Sequence, residues 1–271
     1  MEIIVCIKQV PDTTDIKIDP ETNTLKREGV TSIINPFDLY AIEEGIRLRE
    51  KYGGKVTVLT MGPPQAKDAL IEALAMGADN AVLLSDRAFA GSDTWATSYV
   101  LSQAIKKIGK FNIIICGKQA SDGDTAQVGP GVAALLDLPQ ITFVRKIEDI
   151  NENFIIAERL TEEGYEVIKS PMPCLITAVK EINTPRLASI MGKLKAKKIP
   201  ITVYGAADIN CDINKTGLAG SPTSVNKIFT PPHRPPGIIM EDTPESVEKM
   251  TELIIKEISN KRKQTTENTE G

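Results

Sequence analysis

Histidine is nearly missing from this chain: the single one, His233, sits in Pro231-Pro232-His233-Arg234-Pro235-Pro236. A catalytic triad or a His-ligated metal would have to be built there, in a stretch suited to an extended arm rather than a rigid site. Four cysteines, Cys6, Cys116, Cys174 and Cys211, include no C-x-x-C pair. That removes the ligand spacing of zinc and iron–sulfur sites and leaves them as small hydrophobes of a reducing compartment. A basic excess is also lacking: Lys+Arg 32 against Asp+Glu 36 gives a net charge of −4, which argues against nucleic acid as a partner. No apolar run approaches the ~18 residues that span a bilayer, and the start, Met-Glu-Ile-Ile-Val-Cys-Ile-Lys, has neither the basic region nor the cleavage site of a signal peptide. The expectation is a cytoplasmic protein with no membrane insertion.

What the chain does have is 41% apolar residues over 271 positions, enough for an ordinary core, arranged as a repeating strand–helix cycle. Residues 2–8 are a nearly unbroken apolar run, the mark of a strand buried on both faces. Alternation at Ile16-Lys17-Ile18 and a turn near 19–23 suggest a hairpin excursion. Asn35-Pro36 predicts a capped helix that Gly53 stops; strand 55–61, helix 66–76, strand 80–85, a helix capped by Asp93, strand 111–116 and a helix ending near 138–139 follow. Short connections between alternating strands and helices require right-handed parallel crossovers, so the fold class is α/β, a doubly wound, mostly parallel sheet. Period-two patterns over 141–180 predict antiparallel additions. The expected divisions are a nucleotide-binding domain over 1–204, an arm and helix over 205–260, and a disordered tail over 261–271.

Ligands of such sheets bind beyond the carboxyl ends of the strands. The segment best placed for that is Gly117-Lys118-Gln119-Ala120-Ser121-Asp122-Gly123-Asp124-Thr125-Ala126-Gln127-Val128, between a buried strand and a helix. Gly123 would permit an unusual backbone angle and close approach, and Thr125, Ala126 and Gln127 would offer N–H groups to a phosphate. A merely well-capped turn explains the same residues. The segment is neither a Walker loop nor a G-x-G-x-x-G turn, which argues against a P-loop NTPase.

Val5-Cys6-Ile7-Lys8-Gln9-Val10, Asn35-Pro36-Phe37-Asp38, residues 73–79 (Ala-Leu-Ala-Met-Gly-Ala-Asp), Gly117-Lys118-Gln119-Ala120, Pro185-Arg186-Leu187-Ala188 and Lys195-Ala196-Lys197-Lys198 occur in an order and spacing that resembles the electron-transfer flavoprotein β subunits over nearly the whole chain. The resemblance implies an α-subunit partner that holds an FAD and shuttles electrons with dehydrogenases. By position it also implies a nucleotide touching Cys6, Asn35, Pro36, Phe37, Asp38, Met61 and the run Gly117 to Val128; core filling remains an alternative for Cys6 and Met61.

The loop Asp122 to Pro130 looks like the electron-bifurcating branch, whose β subunit holds FAD where ordinary members hold AMP. Ala88, Ala90 and Gly91 are small enough to leave room for a flavin ring, and a helix starting at Asp93-Thr94 and continuing through Thr97 would aim N–H groups at it; an ordinary loop with Trp95 as core is the alternative. On this resemblance NADH is the electron donor, ferredoxin or flavodoxin one acceptor, and an acyl-CoA dehydrogenase-type or related reductase the other, reached through the α subunit. No catalytic side chain and no metal are expected. A plain carrier with AMP, or a nucleotide-sensing module without electron transfer, are the competing readings. Arg186, Leu187, Ile190, Met191 and Leu194 match the family's docking loop, with Met191-Gly192 departing from its usual Pro-Asn; the alternative is a helix packed on its own domain.

Overall fold

The computed structural model describes residues 1–12, 32–226, 237 and 239–267, with side chains described as far as Ser259. The alternation at Ile16-Lys17-Ile18 and the run Pro231 to Pro236 with His233 lie outside the described residues. The described chain falls into two compact units, Met1–Ile228 and Phe229–Gly271.

The first unit is built on a nine-stranded sheet. In chain order its elements are β1 (Glu2–Cys6), β2 (Gln9–Pro11), β3 (Ser32–Ile34), α1 (Pro36–Tyr52), β4 (Lys55–Met61), α2 (Lys67–Met76), β5 (Asn80–Leu84), α3 (Thr94–Ile108), β6 (Ile113–Gly117), α4 (Val128–Leu135), β7 (Gln140–Ile150), β8 (Phe154–Leu160), β9 (Tyr165–Pro171), β10 (Cys174–Ala178), α5 (Ile190–Ala196) and β11 (Ile201–Tyr204). The spatial order is β11-β5-β4-β1-β6-β10-β7-β8-β9. The first seven are mutually parallel, and β7, β8 and β9 form an antiparallel meander at one edge. β2 and β3 pair separately and antiparallel, Gln9 with Ile34 and Pro11 with Ser32.

β10 corrects the expectation that residues 141–180 are all antiparallel additions, since it inserts between β6 and β7 and runs parallel to both. All five of its residues, Cys174-Leu-Ile-Thr-Ala178, are buried. A strand buried on both faces belongs inside a parallel sheet, whereas β9, exposed at alternate positions, belongs at an edge. β11 escapes period reading because it is only four residues long.

Alternation along the strands feeds two cores. Ile3, Val5, Val56 and Val58 face α1 and α2, while Ile4, Cys6, Leu59 and Ile114 face α3 and α4. Each fully buried Ile or Leu contributes about 1.5–3 kcal/mol, so either face of β1 alone anchors the centre of the sheet. The second core also takes Ala206 and Ile209, which lie past the expected boundary at 204. Residues up to 226 stay with the sheet because they grip the loop before α3: Leu218 N–H donates to the Ala90 carbonyl at 3.1 Å, and the Asp93 N–H to Ser221 Oγ at 2.8 Å.

The second unit contains α6 (Pro244–Glu267), opened by Thr243, whose Oγ1 accepts from the Ser246 N–H at 3.2 Å. Thr243 is therefore the cap of this helix. The helix runs past the expected end near 260, through Lys261-Arg262-Lys263, a stretch with no glycine or proline to stop it.

Candidate functional site

From β1 the chain winds outward to β4 and β5, then returns to the other side of β1 to lay down β6. The carboxyl ends of β1 and β6 therefore part at a topological switch point, and a cleft of about 360 Å3 opens there. Cys6 and Cys116, direct neighbours across β1 and β6, form its floor. Both are buried, and hydrogen bonding with Cys6 together with burial pushes the Cys116 thiol well up, so Cys116 serves as packing rather than as a nucleophile.

One wall is the start of α1. Asn35 precedes Pro36 as expected, but its side chain does not cap the helix. It crosses to the opposite wall instead, where Nδ2 donates to the Gln119 carbonyl at 2.8 Å and Oδ1 accepts from the Ser121 N–H at 3.0 Å. This pair of bonds fixes the 117–121 turn against α1. Asp38 sits behind it, only 5% exposed, and its Oδ2 accepts the Lys8 N–H at 2.7 Å. Burial pushes the Asp38 carboxyl up to about 7, against the pull of bonds from Asn35, Lys8 and Gly117.

The opposite wall is the turn between β6 and α4. Gly117 is the glycine that close packing demands there: a Cβ would stand 2.2 Å from Asp38 Oδ1 and 2.8 Å from the Phe37 carbonyl carbon. Gly123 does not play the part expected of it. A Cβ at 123 meets nothing within 4 Å, and the left-handed residues are Asp124 at φ 51° and Ala126 at φ 54°. Asp tolerates that conformation through local hydrogen bonding, and the Asp124 carboxylate indeed takes the Gln119 side chain. Among the described residues the N–H groups of Thr125, Ala126 and Gln127 make no hydrogen bond, so they remain free to face an anion at the mouth of α4.

The third side is the N-terminus of α3. Asp93 caps it, accepting from the Trp95 and Ala96 N–H groups at 2.9 and 3.0 Å. Burial opposes its charge, but bonds from Ala96 and Thr223 outweigh it and hold the carboxyl below its usual range. Thr94 and Thr97 line the cleft, and Thr94 Oγ1 bonds Gln127 Oε1 at 3.1 Å across its mouth.

Of the residues expected at the site, the cleft gathers Cys6, Asn35, Asp38, Met61, Asp93, Thr94, Thr97, 117–120, Gly123 and 125–128. Pro36, Phe37, Ser121, Asp122 and Asp124 are not part of this lining. Ala88, Ala90 and Gly91 do not open space in the cleft: Gly217 and Leu218 pack against them, and a Cβ on Gly217 would come within 2.4 Å of the Ala88 carbonyl. Trp95 is half exposed rather than core, and Phe89 fills the core position instead. Lys8, Ile7, Ser92, Leu101 and Gly129 line the cleft without having been expected; Lys8 follows a strand whose pattern announces burial, not a ligand.

The second group of expected residues lies on the first face of the sheet. Leu187, Ile190, Met191 and Leu194 point into solvent, Leu187 at 94% and Ile190 at 80% exposure, while Gly192 and Ala196 seat α5 on the protein. The helix is thus packed by its small residues and not by its apolar stripe. Arg186 differs from its neighbours: its guanidinium grips Glu43 at 2.8 and 3.0 Å and Glu50 at 2.6 and 3.0 Å. It anchors the segment internally.

Residues 22–209 match the electron transfer flavoprotein domain. The chain is 54% identical to the electron transfer flavoprotein subunit beta of Thermoanaerobacterium thermosaccharolyticum over 94% of its own length and 98% of the relative's. The chain belongs to the electron-transfer flavoprotein family. The β subunit of Megasphaera elsdenii is 48% identical over 95% of this chain and 98% of that protein. The caffeyl-CoA reductase-Etf complex subunit CarD of Acetobacterium woodii is 50% identical over 90% and 93%. As a β-type subunit of an electron-transfer flavoprotein, the chain implies an α-subunit partner. Among the described residues no helix is long and apolar enough to cross a membrane.

Proposed function

We propose that this β subunit binds FAD in the cleft between β1 and β6 and, with its α subunit, parts electrons from NADH between ferredoxin or flavodoxin and an acyl-CoA-type reductase. One observation carries the reading: the turn 117–128 and the N-terminus of α3 line a single continuous cleft. An AMP needs only the part between Asn35, Asp38 and the turn. The extension to Asp93, Thr94 and Thr97 gives a longer dinucleotide a second place to lie, beside backbone N–H groups. The cleft is otherwise built for holding rather than reacting: buried Cys6 and Cys116 pack its floor, and the buried Asp38 carboxyl in its wall is tied to the Lys8 N–H. Bound there, the flavin would supply the redox chemistry. The chain's own residues would hold the phosphates at 125–127, fix the turn through Asn35 and exclude water over Cys6 and Cys116. The likeness to the CarD subunit supports a CoA-thioester reductase as the downstream partner.

The test is the ligand content of the full chain purified with its α subunit. Two flavins per heterodimer are expected. One flavin with one AMP would make this a plain carrier, and no flavin would leave a nucleotide-binding module.

A further inference from the structure

Lys8 reaches the cleft from an unexpected quarter, and it is held unusually well for a lysine. Its N–H donates to Asp38 Oδ2 at 2.7 Å and its carbonyl accepts the Asn35 N–H at 2.8 Å, so its backbone is pinned to the start of α1 on both sides. The side chain then spans to the opposite wall, where the ammonium donates to both Asp122 oxygens at 2.6 and 2.8 Å. Lys8 therefore joins β1, α1 and the 117–128 turn, the three segments that form the nucleotide end of the cleft.

The charges lining that end are few and mostly committed. Asp38 is buried, and Asp93 is taken by α3 and Thr223. The Lys118 ammonium lies over the Phe143 and Phe37 rings at 5.3 and 6.0 Å. Lys8 is different, because its partner is a carboxylate at the rim: the two side chains are 49% and 27% exposed. A partly solvated pair of this kind is weak, so another anion can replace the carboxylate at little cost. The free N–H groups of 125–127 belong to the same turn as Asp122, so an anion held there lies on the segment that the Lys8 ammonium already reaches.

We propose that Lys8 is a phosphate-binding residue of this cleft, with Asp122 holding its ammonium at the mouth until the phosphate of an adenine nucleotide takes that place. This rests on the nucleotide reading above and adds a ligand to it. An ammonium suits the task as a compact point charge that needs no fixed approach direction. Because the carboxylate and the phosphate compete for the same donor, the two members of the ion pair have opposite effects on binding.

The test compares AMP with adenosine on the full-length chain freed of co-purifying nucleotide, by calorimetry. Lys8→Gln should weaken AMP about tenfold or more, the size of one charge-assisted hydrogen bond, while changing adenosine less than about twofold. Asp122→Asn breaks the same ion pair but keeps the ammonium, so its AMP affinity should equal or exceed that of the wild type. Equal losses for AMP and adenosine in Lys8→Gln, or no loss at all, would overturn the assignment. A fall in Asp122→Asn as large as that in Lys8→Gln would also overturn it, making the pair a strut for the turn. A wild-type chain that takes up neither AMP nor FAD fails the nucleotide reading itself, an outcome seen before either variant is made.

Discussion

Burial raises the Asp38 carboxyl from 3.8 to about 7, and this has a definite consequence for stability. Between those values the folded chain holds a proton that the unfolded chain has already lost. Stability contributed by the protonated group is present at low pH and is lost as pH rises through this window. Asp38→Asn carries no such proton, so the wild type should lose stability relative to the variant from pH 4 to pH 8, by up to about 4 kcal/mol at about 1.36 kcal/mol per unit. Urea unfolding of both proteins at several pH values reads this directly; parallel profiles would show that Asp38 does not titrate in that range. Arg186 illustrates the opposite use of charge. Two carboxylates, one of them buried Glu43, hold the guanidinium by four bonds, which fixes where the exposed Leu187 begins.

At the scale of the element, α5 is short and turned inside out relative to an ordinary surface helix. Ser189 caps it, accepting the Gly192 N–H at 2.9 Å, and Gly192 lies so close to α2 that a Cβ would stand 2.3 Å from the Ala75 carbonyl oxygen. Small residues thus do the packing, leaving Ile190 and Met191 outward. Exposed side chains contribute little to folding, so Ile190→Ala should shift stability by no more than about 0.5 kcal/mol. If the stripe docks the reductase, the same variant should lower coupled electron transfer several-fold while flavin content and α-subunit association stay unchanged. Unaltered coupled turnover would remove α5 from the docking surface.

For the whole molecule, the division at Ile228 matters more than the end of the last strand at Tyr204. A chain ending at Gly205 loses Ala206 and Ile209 from the second core and loses Ser221 and Thr223 from around Asp93. It should be destabilised by several kcal/mol, through both lost burial and the lost bonds of Ser221 and Thr223 to Asp93. A chain ending at Asn226 keeps all of these contacts and should melt close to the full-length protein. In the second unit, Val247, Met250, Leu253, Ile254 and Ile258 run along one side of α6, and among the described residues they stay about half exposed. Such a face calls for a partner surface, so the chain ending at Asn226 should fold but fail to co-purify with the α subunit. Retention of the partner by that chain would place the α-subunit contact elsewhere.

The amino-acid sequence by itself determined the parallel sheet, because Ile3 to Ile7, Val56 to Leu59 and Ile113 to Cys116 are buried runs that only a doubly wound arrangement can cover on both faces. It also determined two helix starts, through Pro36 in the first turn of α1 and the Asp93 cap of α3, both of which act locally. Tertiary structure decided what local pattern cannot carry. Asn35 looks like a cap, yet its amide is spent on Gln119 and Ser121, 84 and 86 residues away. Ala88 to Gly91 look like room for a ring, but chain from 217 onward fills it; Lys8 looks like the polar end of a strand, but Asp122 lies 114 residues on. The physical reason is the same in each case: a periodic pattern reports which face of an element is buried, whereas the partner a polar side chain meets depends on where distant segments are brought together.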